Sequence, residues 1–139
     1  MKLIKFLLLI IGLFLLVGGI TCIIYTQYNV VKVQEFDMVA FVELGSAGLG
    51  FNGSQLMFGK VSPGNGVGIR NLLMKNNASF PVVVRFTPRG NISQFVSTEE
   101  IAPVLKPHTQ KKIKVFFKPS ESAEQGRYCG TLRAVLSRN

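Results

Sequence analysis

The side chains that could carry out chemistry are few, and their spacing is poor for it. The single histidine, His108, stands in the turn Lys106-Pro107-His108-Thr109, and the two cysteines, Cys22 and Cys129, lie at opposite ends of the chain. Nucleophilic catalysis needs a Ser, Cys or Thr beside a base that a third group orients. Neither a Ser, His and acid order nor a Cys and His pair is visible here. A zinc or calcium site needs several N, S or O ligands at close spacing. The carboxylates come at most in pairs such as Glu99-Glu100. The glycine-rich stretch 45–68 lacks the Gly-Lys-Ser/Thr of a phosphate loop and opens no helix. These absences argue against an enzyme and give no reason to expect a cofactor or a metal.

What remains is charge. Lys106, Lys111, Lys112, Lys114 and Lys118 cluster around Phe116. Lysines flanking an aromatic ring are candidates for contact with a polyanion, the ring stacking while each ammonium displaces a counterion. The competing reading is that they guard an exposed sheet edge against pairing with another chain. Asn52-Gly53-Ser54, Asn77-Ala78-Ser79 and Asn91-Ile92-Ser93 are three N-glycosylation sequons, so Asn52, Asn77 and Asn91 are candidate glycan acceptors. Cys129 reads as a small apolar strand residue, with intermolecular pairing the alternative. A disulfide to Cys22 is geometrically implausible.

The segment that must place all of this is Phe6 to Tyr25, FLLLIIGLFLLVGGITCIIY, twenty residues without a charge. As a helix it reaches roughly 30 Å, the thickness of a bilayer's hydrocarbon core. Fourteen of the twenty are Leu, Ile, Val or Phe, and together they favour insertion by about 4 to 8 kcal/mol. Lys2, Lys5 and the free amine precede it, whereas Lys32, Glu35 and Asp37 follow. The positive-inside rule then predicts a cytoplasmic N-terminus and an extracytoplasmic C-terminal part. A cleaved signal, with Val17 and Gly19 before the cut, is the rival. Against it, the apolar run continues through Ile24. A lipoprotein site at Cys22 fails because Thr21 occupies the place of the small residue before the cysteine.

Domain organisation follows: residues 1–28 form a stub and signal-anchor helix, and residues 29–139 form one extracytoplasmic domain. From Lys32 onward fourteen basic residues face seven acidic ones, a net charge of +7. Such a domain favours anionic neighbours such as lipid headgroups, envelope polymers, nucleic acid or an acidic protein, or is simply kept soluble by the charge.

Within the domain, apolar alternation predicts strands over Asn29–Leu44, Leu49–Phe51, Leu56–Val61, Val67–Lys75, Phe80–Phe86, Gln110–Lys118 and Arg127–Leu136. Pro81 suits a strand start, and Thr87-Pro88-Arg89-Gly90 is predicted as a turn. In QKKIKVFFK, Ile113, Val115 and Phe117 alternate with Lys112, Lys114 and Phe116, which predicts one dry face and one basic face. No sustained helical period follows the span. The pattern is that of an all-β sandwich of about seven strands.

Val61-Ser62-Pro63-Gly64, Arg70 to Asn77 ending in paired asparagines, Val82 to Phe86, Leu105-Lys106-Pro107 before QKKIKVFFKPS, and Gly126-Arg127-Tyr128-Cys129-Gly130-Thr131-Leu132 together resemble immunoglobulin-like sandwich domains of prokaryotic envelope proteins, over about residues 56–136. The resemblance implies a single Ig-like β-sandwich behind the transmembrane helix. It also implies a structural role for Tyr128, with the ring buried and the hydroxyl bonded to backbone at a neighbouring corner. The expected function is a membrane-anchored structural or protein-interaction module of the cell envelope, as a subunit or accessory of a surface assembly, with homo-oligomers open. A binding module for anionic polymers is the alternative.

Overall fold

The computed structural model describes residues 1–45 and 55–139. Helix α1, Lys2–Asn29, contains the apolar run and buries none of its residues. It is long and apolar enough to span a membrane. Its C-terminal turn closes when the N–H of Val30 bonds to the Thr26 carbonyl. Val30 then opens the first strand with no intervening residue.

Among the described residues eight strands follow: β1 (Val30–Val42), β2 (Gln55–Val61), β3 (Gly68–Lys75), β4 (Val82–Gly90), β5 (Val96–Thr98), β6 (Val104–Leu105), β7 (Gln110–Phe117) and β8 (Gly126–Arg138). They form a five-stranded sheet of order β2-β1-β8-β4-β6 and a three-stranded sheet of order β3-β7-β5. The pairing is antiparallel except between β1 and β2. The only helical turn in the described part of the domain is Ser93–Phe95, a single 3-10 turn before β5.

Period-two alternation puts one face of each sheet into a shared core. Met38, Ala40 and Val42 of β1 and Leu132, Ala134 and Leu136 of β8 meet Leu72 and Met74 of β3 and Ile113, Val115 and Phe117 of β7. Phe117 joins the layers, its ring centroid 5.6 Å from Phe58 and 6.0 Å from Phe95. Along one flank Arg70 of β3 bonds to the Met57 carbonyl of β2.

Two expectations change. Thr87 to Gly90 is not a turn, because β4 runs through Pro88 to Gly90 opposite β8. Proline is tolerated where its missing N–H would face no ladder partner. The Val84 N–H points away from β8, to the Pro103 carbonyl, so the ring nitrogen of Pro88, four residues on, faces the same side. There β6 has already ended at Val104, opposite Val83. The chain reverses only at Gly90, whose φ of 91° suits glycine. The predicted strand Leu49–Phe51 lies outside the described residues.

The second change concerns β7, which is the middle strand of its sheet and not an edge. It pairs with β3 along its whole length and with β5 over Val115–Phe117. Only its first half, beyond the three-residue β5, lacks a strand on that side. A lysine guard is unnecessary over Val115–Phe117, where both neighbours pair, whereas Lys111, Lys112 and Lys114 stand in the half that β5 leaves open and could guard it.

Candidate functional site

The five lysines do not form one patch. Strand alternation sends Lys112, Lys114 and Phe116 to the outer face of the small sheet, and Lys118 follows at its end. Lys111 has the inward parity and sits half-buried at the rim, its Nζ 2.6 Å from Oε1 of Glu100. Lys106 lies on the loop between β6 and β7, at the opposite end of β7 from Lys118.

The outer face of the small sheet carries more than charge. Register sets Ile69 of β3 and Ser97 of β5 beside Phe116, Asn71 beside Lys114, and Leu73 beside Lys112. Ile69 is 46% exposed and Leu73 57%. Ile69 and half-buried Phe116 make an apolar pair across β3 and β7, Leu73 stands apart from it beyond Asn71, and Lys75, Lys112, Lys114 and Lys118 share the face. One carboxylate answers these charges, Glu99, whose Oε1 is 3.4 Å from the Lys114 Nζ. The Lys118 ammonium lies 5.6 Å from the Phe116 ring centroid, within cation–π range. Sequence reading found the lysines and Phe116 but not Ile69 and Leu73. Their signal was present in the weak alternation of β3, where an outward Ile and Leu stand at positions that a solvated face would fill with polar residues.

Tyr128 is half-buried near the start of β8. Its hydroxyl donates to the Glu124 carbonyl at 2.8 Å, and its ring packs edge-on against Phe95 at 5.5 Å. Asn77 is exposed after β3. Asn91 is exposed after β4, but its Oδ1 accepts the Cys129 N–H at 2.8 Å. Asn52 lies outside the described residues. Cys129 is exposed on the outer face of the large sheet, opposite Val39, and is not a core residue. His108 stands exposed on the β6–β7 loop with φ 54°.

A cleft of about 240 Å³ opens between β4 and β5. Phe86, Pro88, Val96, Ile101 and Leu132 line it, with Ser97 and Thr98 as its only hydroxyl side chains.

Sequence reasoning also missed Asn76. It is 2% exposed and joins two turns: its Nδ2 lies 2.8 Å from the Phe80 carbonyl, 3.2 Å from that of Leu105 and 3.1 Å from that of Lys106, while its Oδ1 accepts the Ala78 N–H. The paired asparagines marked the end of a strand, and nothing local distinguished the one that turns inward.

No protein-family model matches the chain, and no curated protein matches it.

Proposed function

We propose that this chain is a membrane-anchored, extracytoplasmic Ig-like β-sandwich that serves as a protein-interaction module of the cell envelope, docking a partner of a surface assembly on the outer face of its small sheet. The observation that carries the reading is the outer face of the small sheet, where exposed Ile69 lies beside half-buried Phe116 and exposed Leu73 stands four residues further along β3, all among lysines. Apolar contact in the centre with charge at the rim is the usual anatomy of a protein interface. The excess of lysine over carboxylate selects a partner with acidic groups around an apolar ridge. Support for the Ig-like reading comes from the two packed sheets and from the Tyr128 hydroxyl bonded to a carbonyl four residues upstream. Support for the anchor comes from α1, which holds the uncharged run from Phe6 to Tyr25 and buries none of its residues.

Photo-crosslinking in intact cells tests the docking face, with a crosslinker at Leu73 or, as control, at Val83 on the outer face of the other sheet. A discrete adduct at Leu73 alone, abolished by Ile69→Asp, is expected. Equal labelling at both positions, or none at Leu73, refutes this face.

The second reading is a polyanion site, favoured by Lys112, Lys114 and Lys118 beside the Phe116 ring. Under it, heparin retention falls with a steep power of salt, and replacing Lys112 and Lys114 flattens the slope by about two counterions.

A further inference from the structure

The end of the domain at which α1 enters has a composition of its own. Register brings the start of β1 beside the end of β8, Val30 opposite Ser137, and the start of β4 beside both Arg138 and Leu105. The end of β3 meets the start of β7 at Lys75 and Gln110. The turn after β3 and the loop after β6 are tied together by Asn76. All of these therefore emerge at one end of the sandwich, where the last turn of the helix joins it.

That junction is clasped. Arg138, the final strand residue, donates from Nη1 to the Tyr28 hydroxyl at 3.0 Å. Its guanidinium lies 5.3 Å from the Tyr28 ring centroid and 4.3 Å from that of Phe80. The apolar run ends at Tyr25 and β1 begins at Val30. Five residues of helix rise only about 7 Å, comparable with the roughly 5 to 7 Å headgroup layer on each side of a bilayer. If α1 crosses the membrane, this end of the domain meets the headgroups.

Its charge is of one sign. Lys32, Lys75, Lys106 and Arg138 are exposed, and among the described residues none of the four makes an ion pair with a carboxylate. On the elements leading away from this end, Glu35 lies 4.0 Å from Arg133 and Glu100 pairs with Lys111, while Asp37 stands two residues further along β1, opposite Thr131. Beyond them, Glu43 is paired with Lys60 near the far end of β1, and Glu121 and Glu124 sit in the loop before β8.

We propose that this end is a docking surface for anionic lipid headgroups, with Lys32, Lys75, Lys106 and Arg138 binding headgroup phosphates of the membrane that α1 crosses, so that the domain stands with this end on the bilayer. The inference rests on α1 remaining attached as an anchor, and it holds for either orientation of the span. Basic side chains close to an anionic surface are each favoured by about 1 kcal/mol, roughly a fivefold factor apiece.

The test uses the full chain in nanodiscs of phosphatidylcholine alone or mixed with phosphatidylglycerol, read by amide hydrogen exchange at residues 77–80 and 106–109. We expect severalfold slower exchange in the anionic discs, reversed by high salt and by Lys75→Glu with Lys106→Glu. Unchanged exchange in β7 establishes that the variant is folded, and Lys75→Gln with Lys106→Gln gives a milder second variant. Equal exchange in both kinds of disc overturns the proposal, as does equal protection by heparin added to neutral discs, which would identify a polymer site instead. Intact mass of the protein extracted from cell membranes reports on the anchor separately. Loss of the first residues there removes the anchor reading and this proposal with it, whereas retained α1 without lipid-dependent protection removes the proposal alone.

Discussion

Asn76 shows how one polar side chain holds an end of this fold. Three backbone carbonyls converge on its amide nitrogen and one N–H on its oxygen. Asn76→Ala would leave carbonyls short of a donor in a place where the side chain is 2% exposed. A loss of about 3 kcal/mol in chemical denaturation is expected, several times the effect of Asn77→Ala next door. Equal effects would show that the turn holds without the amide. Tyr128 divides into two parts: Tyr128→Phe removes one bond to Glu124 and should cost about 1 kcal/mol, whereas Tyr128→Ala also opens the packing against Phe95 and Phe117 and should cost about 3 kcal/mol. Gly130 is constrained more tightly, since a Cβ there would lie 1.9 Å from the Arg89 carbonyl oxygen. Gly130→Ala must push β4 and β8 apart where Gly90 and Gly130 pair. It is expected to lower the melting temperature more than Gly12→Ala, which meets nothing within 4 Å.

At the scale of the element, β7 combines two roles. Its inward residues Ile113, Val115 and Phe117 are at most 1% exposed, and its outward ones form the centre of the candidate face. Because Lys112 and Lys114 point to the outer face of a strand that β3 pairs along its whole length, charge reversal there should act on binding more than on self-association. Sedimentation of Lys112→Glu with Lys114→Glu is expected to show unchanged oligomeric state. New, larger species would mean that the lysines hold off other copies after all. The opening half of β7 is where such a role could persist, since β5 stops short of it.

For the whole molecule, the division between α1 and the sandwich makes a thermodynamic prediction. The core cluster draws only on residues from Met38 to Leu136, and α1 contributes none of it. A chain beginning at Val30 should therefore unfold at a melting temperature within a few degrees of the full chain in detergent, with a β-type far-ultraviolet spectrum. The Arg138 clasp on Tyr28 is the main side-chain tie that such a truncation removes, and an exposed pair of this kind contributes little. A large loss would mean that the helix is part of the folding unit.

Much of this was legible in the amino-acid order because it depends on local physics. An uncharged stretch from Phe6 to Tyr25 can only be an apolar helix or a signal. Alternation in Gln110–Lys118 assigns a dry and a basic face whatever the neighbours, because side chains in a strand point to opposite sides in turn. Tyr128 was singled out only by the resemblance of the motif around it, and the structure gives its hydroxyl a bond to the Glu124 carbonyl. What periodicity cannot carry is which strand lies beside which. That β1 and β2 run parallel, that β7 is central, and that Pro88 rests on an unpaired edge were decided by pairings between distant segments. The same holds for the two surfaces proposed to bind. Ile69 and Leu73 join Phe116, and Lys75, Lys106 and Arg138 gather around the helix exit, only because folding closes loops tens of residues long. One sequence position fixes a residue's chemistry, but its partners are chosen by the burial of a core to which the whole chain contributes.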